Sequence, residues 1–131
     1  MRHWIAAALL ALATPAAADP DAVQGVIDSQ IEAFRADDFA EAFTYAAPMI
    51  QGMFGSPERF GQMVRQGYPM VWRPGTVEYG RSEGEGRIWA QEVTIVDGAG
   101  QPHRLLYRMV RMGGAWRIAG VELLRAPDVA V

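Results

Sequence analysis

Few residues in this chain can carry chemistry, and their types exclude most covalent mechanisms. The sequence contains no cysteine and no lysine, so it offers neither a thiolate nucleophile nor an amine for a Schiff base. After residue 3 the chain has one histidine, His103, which stands beside a turn and is better explained as a solvent-exposed turn residue than as a catalytic one. Scattered carboxylates around a single histidine give no zinc-ligand spacing, so we predict no metal site and no cofactor.

Methionine and aromatic residues form the strongest candidate for a binding site. Met49, Met53, Met63 and Met70 are interspersed with aromatic residues. Thioethers suit cuprous ion, but methionine beside aromatic rings usually fills adaptable apolar space, and we expect an apolar pocket for a small ligand. Tyrosine and glutamine side chains there could donate hydrogen bonds to a ligand carbonyl. The pocket candidates are Tyr45, Met53, Phe54, Phe60, Met63, Tyr68, Trp72, Trp89, Gln91 and Tyr107.

Charged side chains show no evident acid–base pair. Asp37 and Asp38 are interpreted as helix caps. Alternation along the predicted strands places most of their glutamates on the outer face. Arg104 and Arg108 share a strand face, which is typical of a solvated charged surface. We therefore assign no catalytic residue.

Helix signals precede strand signals along the chain. Cap-and-proline pairs at Asp19-Pro20 and Ser56-Pro57 begin helices, and residues 68–75 are predicted to be extended because they contain two prolines. Strands are predicted at residues 77–83, 87–96, 103–112 and 116–124. A bulge near Ala119-Gly120 would bring Trp116, Ile118, Val121 and Leu123 into the core. The order predicts an α+β fold in which N-terminal helices pack in a curved, cone-like antiparallel sheet.

The first eighteen residues have the pattern of a secretory signal. A basic start, an apolar run and small residues before Asp19 predict cleavage after Ala18 and a single domain over residues 19–131. The apolar run is shorter than the roughly 20 residues that span a bilayer, so we expect no membrane span after cleavage. The predicted location is periplasmic or secreted. A net charge of −3 without a basic run argues against nucleic-acid binding.

Four stretches carry a family resemblance. They are VIDSQIEAFRADDF at 26–39, FGSPERF at 54–60, MVRQGYPMVWRP at 63–74 and WRIAGVELL at 116–124. Together they resemble domain of unknown function 4864, a family of small secreted bacterial proteins, and the element order is similar to the nuclear transport factor two-like superfamily. The resemblance implies a cone-shaped fold with a pocket, and it implies no particular reaction.

Three functions remain open at this point. The residues favour a non-enzymatic domain that binds a small apolar ligand. A cofactor-independent isomerase, dehydratase or hydrolase would need an Asp or Glu inside the pocket with a tyrosine within hydrogen-bond reach. A protein-interaction module, such as a homodimer formed through the sheet, would use the strand from Arg104 to Met112.

Overall fold

A computed structural model describes residues 19–124, in which helices precede an antiparallel sheet. The predicted signal peptide, residues 1–18, lies outside the described residues. The expected α+β class is confirmed. The elements are α1 (Pro20–Arg35), α2 (Phe39–Thr44), α3 (Pro48–Phe54), α4 (Pro57–Gly67), α5 (Pro69–Trp72), β1 (Pro74–Glu85), β2 (Ile88–Asp97), β3 (Pro102–Met112) and β4 (Ala115–Leu124).

Side-chain caps begin three of the helices. Asp19 Oδ1 accepts a hydrogen bond from the Asp21 amide at 2.9 Å, and Ser56 Oγ accepts one from the Arg59 amide at 3.2 Å. Asp38 Oδ1 does the same for the Glu41 amide at 3.0 Å. These bonds satisfy amide groups that have no partner within the helix, and they confirm the predicted caps at these three positions.

Asp37, in contrast, is not the helix cap that we expected. It follows the end of α1 with a φ of 54°, in the left-handed region that aspartate tolerates better than most residues. Its Oδ1 accepts hydrogen bonds from Trp72 Nε1 at 2.9 Å and from Arg73 Nη2 at 2.8 Å. The bond from Trp72, followed by that from Arg73, lowers the pKa of the Asp37 carboxyl. This contact ties the end of α1 to the end of α5.

Two short helices, α3 and α5, occupy segments for which we predicted no helix. The expectation of an extended chain over residues 68–75 is wrong for Pro69–Trp72, which forms α5, and β1 begins at Pro74. α3 was not predicted either. Both helices have proline at their first position. An amide at that position has no acceptor within the helix, so proline, which lacks the amide hydrogen, costs no hydrogen bond there.

The four strands form a meander in the order β1-β2-β3-β4. Arg108 pairs with Gly120 and Met109 pairs with Ile118, so Ala119 is the extra residue of a bulge in β4, as predicted. Trp116 and Ile118 are buried in the core and Val121 packs against it. Leu123, which we expected in the core, is 50% exposed because it lies near the end of an edge strand.

Helix α1 provides the main apolar surface that covers the sheet. Val23 and Ile27, one turn apart, are fully buried, and they share one core with Val93 and Leu105 of the sheet. Burial of each such side chain contributes about 1.5–3 kcal/mol. Between residues 19 and 124, no helix has the length and apolar character needed to cross a membrane.

Candidate ligand-binding cavity

A cavity of about 230 Å³ lies between the helices and the last two strands. Its volume exceeds that of a water molecule several times over, whereas protein interiors rarely contain voids larger than one water. The side chains and backbone around it come from α1, α3, α4, α5, β3 and β4, from Ala46 between α2 and α3, and from Tyr68 between α4 and α5. They are Gln30, Phe34, Ala46, Ile50, Met53, Phe54, Phe60, Met63, Val64, Tyr68, Val71, Tyr107, Ile118, Gly120 and Val121.

The cavity has a buried floor and a mouth at α3. Phe34, Tyr107 and Ile118 are almost completely buried, which places them at the floor. Met53 lines the same space but is 67% exposed, so the cavity reaches the surface beside it. A ligand would therefore enter next to α3 and extend toward the sheet.

Phe60 organises the aromatic side of the cavity. Its ring lies 5.9 Å from that of Phe34, 5.4 Å from that of Phe43 and 5.8 Å from that of Phe54, measured between ring centroids. Stacked, tilted and edge-on aromatic pairs at these distances stabilise the fold beyond the area they bury. The aromatic side is consequently a packed cluster rather than a set of loose side chains.

Backbone pairing with β4 holds α3 over the cavity. The amide of Ala47 donates to the Ile118 carbonyl, and the amide of Ile118 donates to the Tyr45 carbonyl, both at 2.8 Å. Gln51 Nε2 donates to the carbonyls of Phe43 and Ala46, both at 3.1 Å. None of the α3 residues is fully buried, so these bonds rather than core packing fix its position.

Three polar side chains line the cavity, and two of them are occupied by partners in the protein. Gln30 Nε2 donates to the Ala42 carbonyl at 3.1 Å, and the Tyr68 hydroxyl donates to the Val121 carbonyl at 3.0 Å. The Tyr107 hydroxyl is buried and has no hydrogen-bond partner between residues 19 and 124. Burial raises the pKa of Tyr107, so its hydroxyl keeps its proton at neutral pH.

The structure brings six of the ten predicted site residues to this cavity. These are Met53, Phe54, Phe60, Met63, Tyr68 and Tyr107. Two of the others bond to carboxylates elsewhere. The Tyr45 hydroxyl donates to Glu41 Oε1 at 2.7 Å, and the Trp72 indole donates to Asp37.

The remaining two lie on β2, away from the cavity. Trp89 pairs with Gly84 across the β1–β2 ladder, and its ring occupies the space that a Cβ at Gly84 would need. Gln91 is fully buried, donates to the Glu92 carbonyl at 2.9 Å and accepts from Gln24 Nε2 at 3.3 Å. Its amide also donates to the Gly80 carbonyl, which lies at a register irregularity of β1.

Sequence reasoning missed several lining residues. Gln30 had a detectable signal, because it lies on the apolar stripe of α1 next to Ile31 and one turn after Ile27. Ile118, Gly120 and Val121 had none, because the sheet topology brings them to the cavity.

A match to a known family then identifies the chain. The family model described as domain of unknown function (DUF4864) matches residues 16–131. The chain belongs to the DUF4864 family. This membership confirms the resemblance found in the sequence. A comparison with curated proteins finds no match.

Two solved structures of bacterial proteins resemble this DUF4864 domain. A SEC-C motif containing protein from Rhodopseudomonas palustris aligns with a TM-score of 0.53 at 14% identity, covering 80% of this chain and 91% of its own. An NTF-2 like protein of unknown function from Burkholderia xenovorans LB400 aligns with a TM-score of 0.47 at 20% identity, covering 82% and 89%. The first of these shows that the fold occurs in another protein and says nothing about activity.

The cavity of this DUF4864 domain is poorly equipped for acid–base or metal chemistry. Among the described residues that line it there is no Asp, Glu, His or Arg. The tyrosine–carboxylate contacts from Tyr79 to Asp28 and from Tyr45 to Glu41 lie outside the cavity. Over residues 19–124, no three His, Cys, Asp or Glu side chains are grouped to hold a metal ion.

His103, Arg104 and Arg108, which we considered as candidates from the sequence, each lie beside a carboxylate of the sheet. His103 Nε2 lies 2.9 Å from Asp97 Oδ2, and the side chain of His103 is 25% exposed, so this histidine is partly buried beside Asp97 and is not the solvent-exposed turn residue that we expected. Arg108 lies 2.6 Å from Glu122. Arg104 approaches Glu92 at 3.6 Å. These pairs occupy groups that would otherwise be free to bind an anion.

Proposed function

We propose that this DUF4864 protein is a non-enzymatic binding domain that holds a small, mostly apolar molecule in its cavity. The carrying observation is the 230 Å³ space lined almost wholly by apolar side chains. An apolar ligand that fills the space would remove its apolar lining from contact with solvent, which contributes about 25 cal/mol per Å² of apolar surface buried.

The cavity volume limits the size of the ligand. An engineered apolar cavity of about 150 Å³ binds benzene, so 230 Å³ corresponds to roughly nine or ten non-hydrogen atoms. A longer molecule would extend past Met53 into solvent. The aromatic cluster around Phe60 and the flexible side chains of Met53 and Met63 suit an aromatic or branched apolar group.

We also propose that this binding takes place outside the cytoplasm. The support is the pattern of residues 1–18, with its basic start, apolar run and small residues before Asp19. The test is the mass of the protein isolated from the cell envelope fraction of the producing cell. A chain that begins at Asp19 supports the proposal, and an intact chain in the cytoplasmic fraction overturns it.

The binding proposal is tested with propylbenzene, a neutral hydrocarbon that matches the cavity volume. We expect saturable binding to the purified protein with a Kd of about 0.1–1 mM, detected by NMR chemical-shift changes. Benzenesulfonate serves as a control of similar size that the uncharged cavity should reject. Absence of saturable binding by propylbenzene would overturn the proposal.

A second candidate function, self-association, has its own observation. Ile88 and Met112 on the sheet are 63% and 47% exposed, and Met49 beside them is 65% exposed. These residues border a second depression in the surface, which is lined mostly by apolar side chains. Arg108 is the one charged residue among the described residues that line it, and it is paired with Glu122. Because that ion pair neutralises the charge, an identical surface could meet this one without repulsion.

Sedimentation velocity tests this second candidate. We expect a dimer that an Ile88→Glu substitution dissociates, while Met53→Glu at the cavity mouth leaves it intact. A wild-type protein that sediments as a monomer at every concentration would exclude it.

A further inference from the structure

We propose that the ligand is a single-chain amphiphile whose apolar chain occupies the cavity and whose polar end stays in water beside Met53. The class comprises molecules with one alkyl or arylalkyl chain that ends in a polar group. This inference rests on the proposed function and deepens it, because it names the class of ligand and the direction in which the ligand lies.

The wall of the cavity offers little to a polar group. Gln30 and Tyr68 each already donate a hydrogen bond to a backbone carbonyl of the protein. The Tyr107 hydroxyl is too deeply buried to be reached by a ligand. The other described residues that line the cavity have apolar side chains or none. A polar group carried into this space would lose its hydration without adequate hydrogen bonds in return, so it is favoured to remain outside.

Burial along the wall gives the ligand a direction. Met53 lines the cavity and is 67% exposed, whereas Val64 and Ile118 line the same cavity and are each 4% exposed. The apolar end of a bound chain therefore lies against Val64 and Ile118. The other end of the molecule reaches water beside Met53.

Helix α3 makes the mouth apolar as well as the interior. Its seven residues, PMIQGMF, include no charged side chain. Met49, one turn before Met53, is 65% exposed, so two thioether side chains of α3 project from the surface next to the opening. The part of the rim that α3 forms therefore contacts the chain of an amphiphile and has no charge with which to select its polar end.

The cavity volume sets the length of chain that the site distinguishes. A volume of 230 Å³ holds roughly nine or ten non-hydrogen atoms, so methylenes up to about that number are removed from water. Each of them strengthens binding about fourfold, and methylenes beyond that number remain in solvent and add little. Benzenesulfonate lacks the spacer that would let its ring reach the deep end while its sulfonate stays in water.

Probes with one chain and three polar ends test the class. Octyl glucoside, octyltrimethylammonium and octane-1-sulfonate are titrated into the purified protein below the concentrations at which they form micelles. We expect their Kd values to agree within about tenfold, because the polar ends lie outside the cavity. Either charged probe binding more than tenfold more weakly than octyl glucoside would overturn the proposal, since the polar end would then be enclosed.

Chain length is varied in the trimethylammonium series. Hexyltrimethylammonium should bind about 10- to 15-fold more weakly than the octyl compound, because two methylenes fewer leave water. Lengthening the chain from decyl to dodecyl should strengthen binding less than about threefold, because the cavity is then full. A constant gain per methylene up to dodecyl, or no gain from hexyl to octyl, would overturn the proposal.

A charge placed at the mouth tests where the polar end lies. Met53→Lys and Ile88→Lys add the same charge at positions of similar exposure, but Ile88 does not line the cavity. At low ionic strength, Met53→Lys should change the affinity ratio of octane-1-sulfonate to octyltrimethylammonium by about 5- to 10-fold in favour of the sulfonate, the effect in water of a charge about 7 Å away. Ile88→Lys should change the ratio less than about twofold. Equal changes in the two variants would contradict the position given to the polar end.

A measurement on the wild-type protein needs no variant. Nuclear Overhauser effects should join the terminal methyl of octyltrimethylammonium to Val64 and Ile118, and its N-methyl groups to Met53. The reverse pattern would overturn the proposed direction.

The outcomes also separate this inference from the function on which it rests. If propylbenzene binds in the cavity but the octyl probes do not bind, the amphiphile proposal fails and the binding function stands. If neither propylbenzene nor any octyl probe binds, both fail.

Discussion

Filling the cavity from one wall should leave stability nearly unchanged and abolish ligand binding. Val64 on α4 is 4% exposed and lines the cavity, whereas Val93 on β2 is 1% exposed and does not. The same substitution, Val→Phe, therefore introduces the same ring into two equally buried positions. Only one of these positions faces open space.

The expected difference follows from the cavity volume. Overpacking a full core costs about 1–3 kcal/mol, and we expect Val93→Phe to lose at least this much. At position 64 the added ring enters the 230 Å³ cavity instead of a filled core, so little overpacking arises. Val64→Phe should therefore lose only about 0–1.5 kcal/mol.

Urea unfolding of the two variants, followed by circular dichroism, measures this difference directly. Repetition in saturating propylbenzene adds a second readout, because a ligand that binds the folded state alone raises the free energy of unfolding. We expect that increase in the wild type and in Val93→Phe, if the latter folds, and not in Val64→Phe. Equal losses of stability at positions 64 and 93 would refute the reasoning, since they would mean that the space beside Val64 is not open in solution.

Three further predictions concern the elements that shape the cavity. A Cβ at Gly61 would lie 2.7 Å from Cδ1 of Phe39, so Gly61→Ala should destabilise the protein by about 1–3 kcal/mol. A Cβ at Gly52 would have nothing within 4 Å, so Gly52→Ala should stabilise α3 by up to about 1 kcal/mol. Urea midpoints of the two variants that move in the same direction would contradict this. Phe60→Ala should cost about 3–5 kcal/mol because Phe60 contacts three other rings, and a loss in thermal unfolding below 1 kcal/mol would show that the aromatic cluster is not formed. Hydrogen bonds lower the pKa of Asp37 and of Asp97 in the folded state, so the stability that these bonds contribute is present above the ordinary value of 3.8 and is lost as pH falls through the folded pKa. Asp37→Asn should therefore flatten the fall in urea midpoint below about pH 4. An unchanged pH profile would contradict the role given to the bonds of Asp37 with Trp72 and Arg73.

The sequence was informative where structure depends on neighbouring residues. Caps at Asp19, Asp38 and Ser56 involve residues two or three positions apart, and they were predictable. The bulge at Ala119 was predictable because apolar residues on either side of it were out of phase. Asp37 was misread because its partners, Trp72 and Arg73, are distant in the chain and reach it only when α5 folds.

The same distinction explains the candidate site. Met53, Phe54, Phe60 and Met63 lie within a short segment and were predicted together. The contribution of β4 depends on pairing between Ala46 and Ile118, which no local pattern reveals. Trp89 and Gln91 lie on the same face of β2, but Trp89 packs over Gly84 and Gln91 donates to the Gly80 carbonyl, both on β1 and away from the cavity. Alternation predicts the face of a strand and not the position along the sheet.

The most direct test of the central claim is to locate bound propylbenzene by NMR. Nuclear Overhauser effects should join its protons to the methyl groups of Val64, Ile118 and Val121, which line the cavity, and not to those of Ile88. That pattern would establish that the cavity holds an apolar molecule. Effects to Ile88 and Met112 alone, or none at any attainable concentration, would contradict the account.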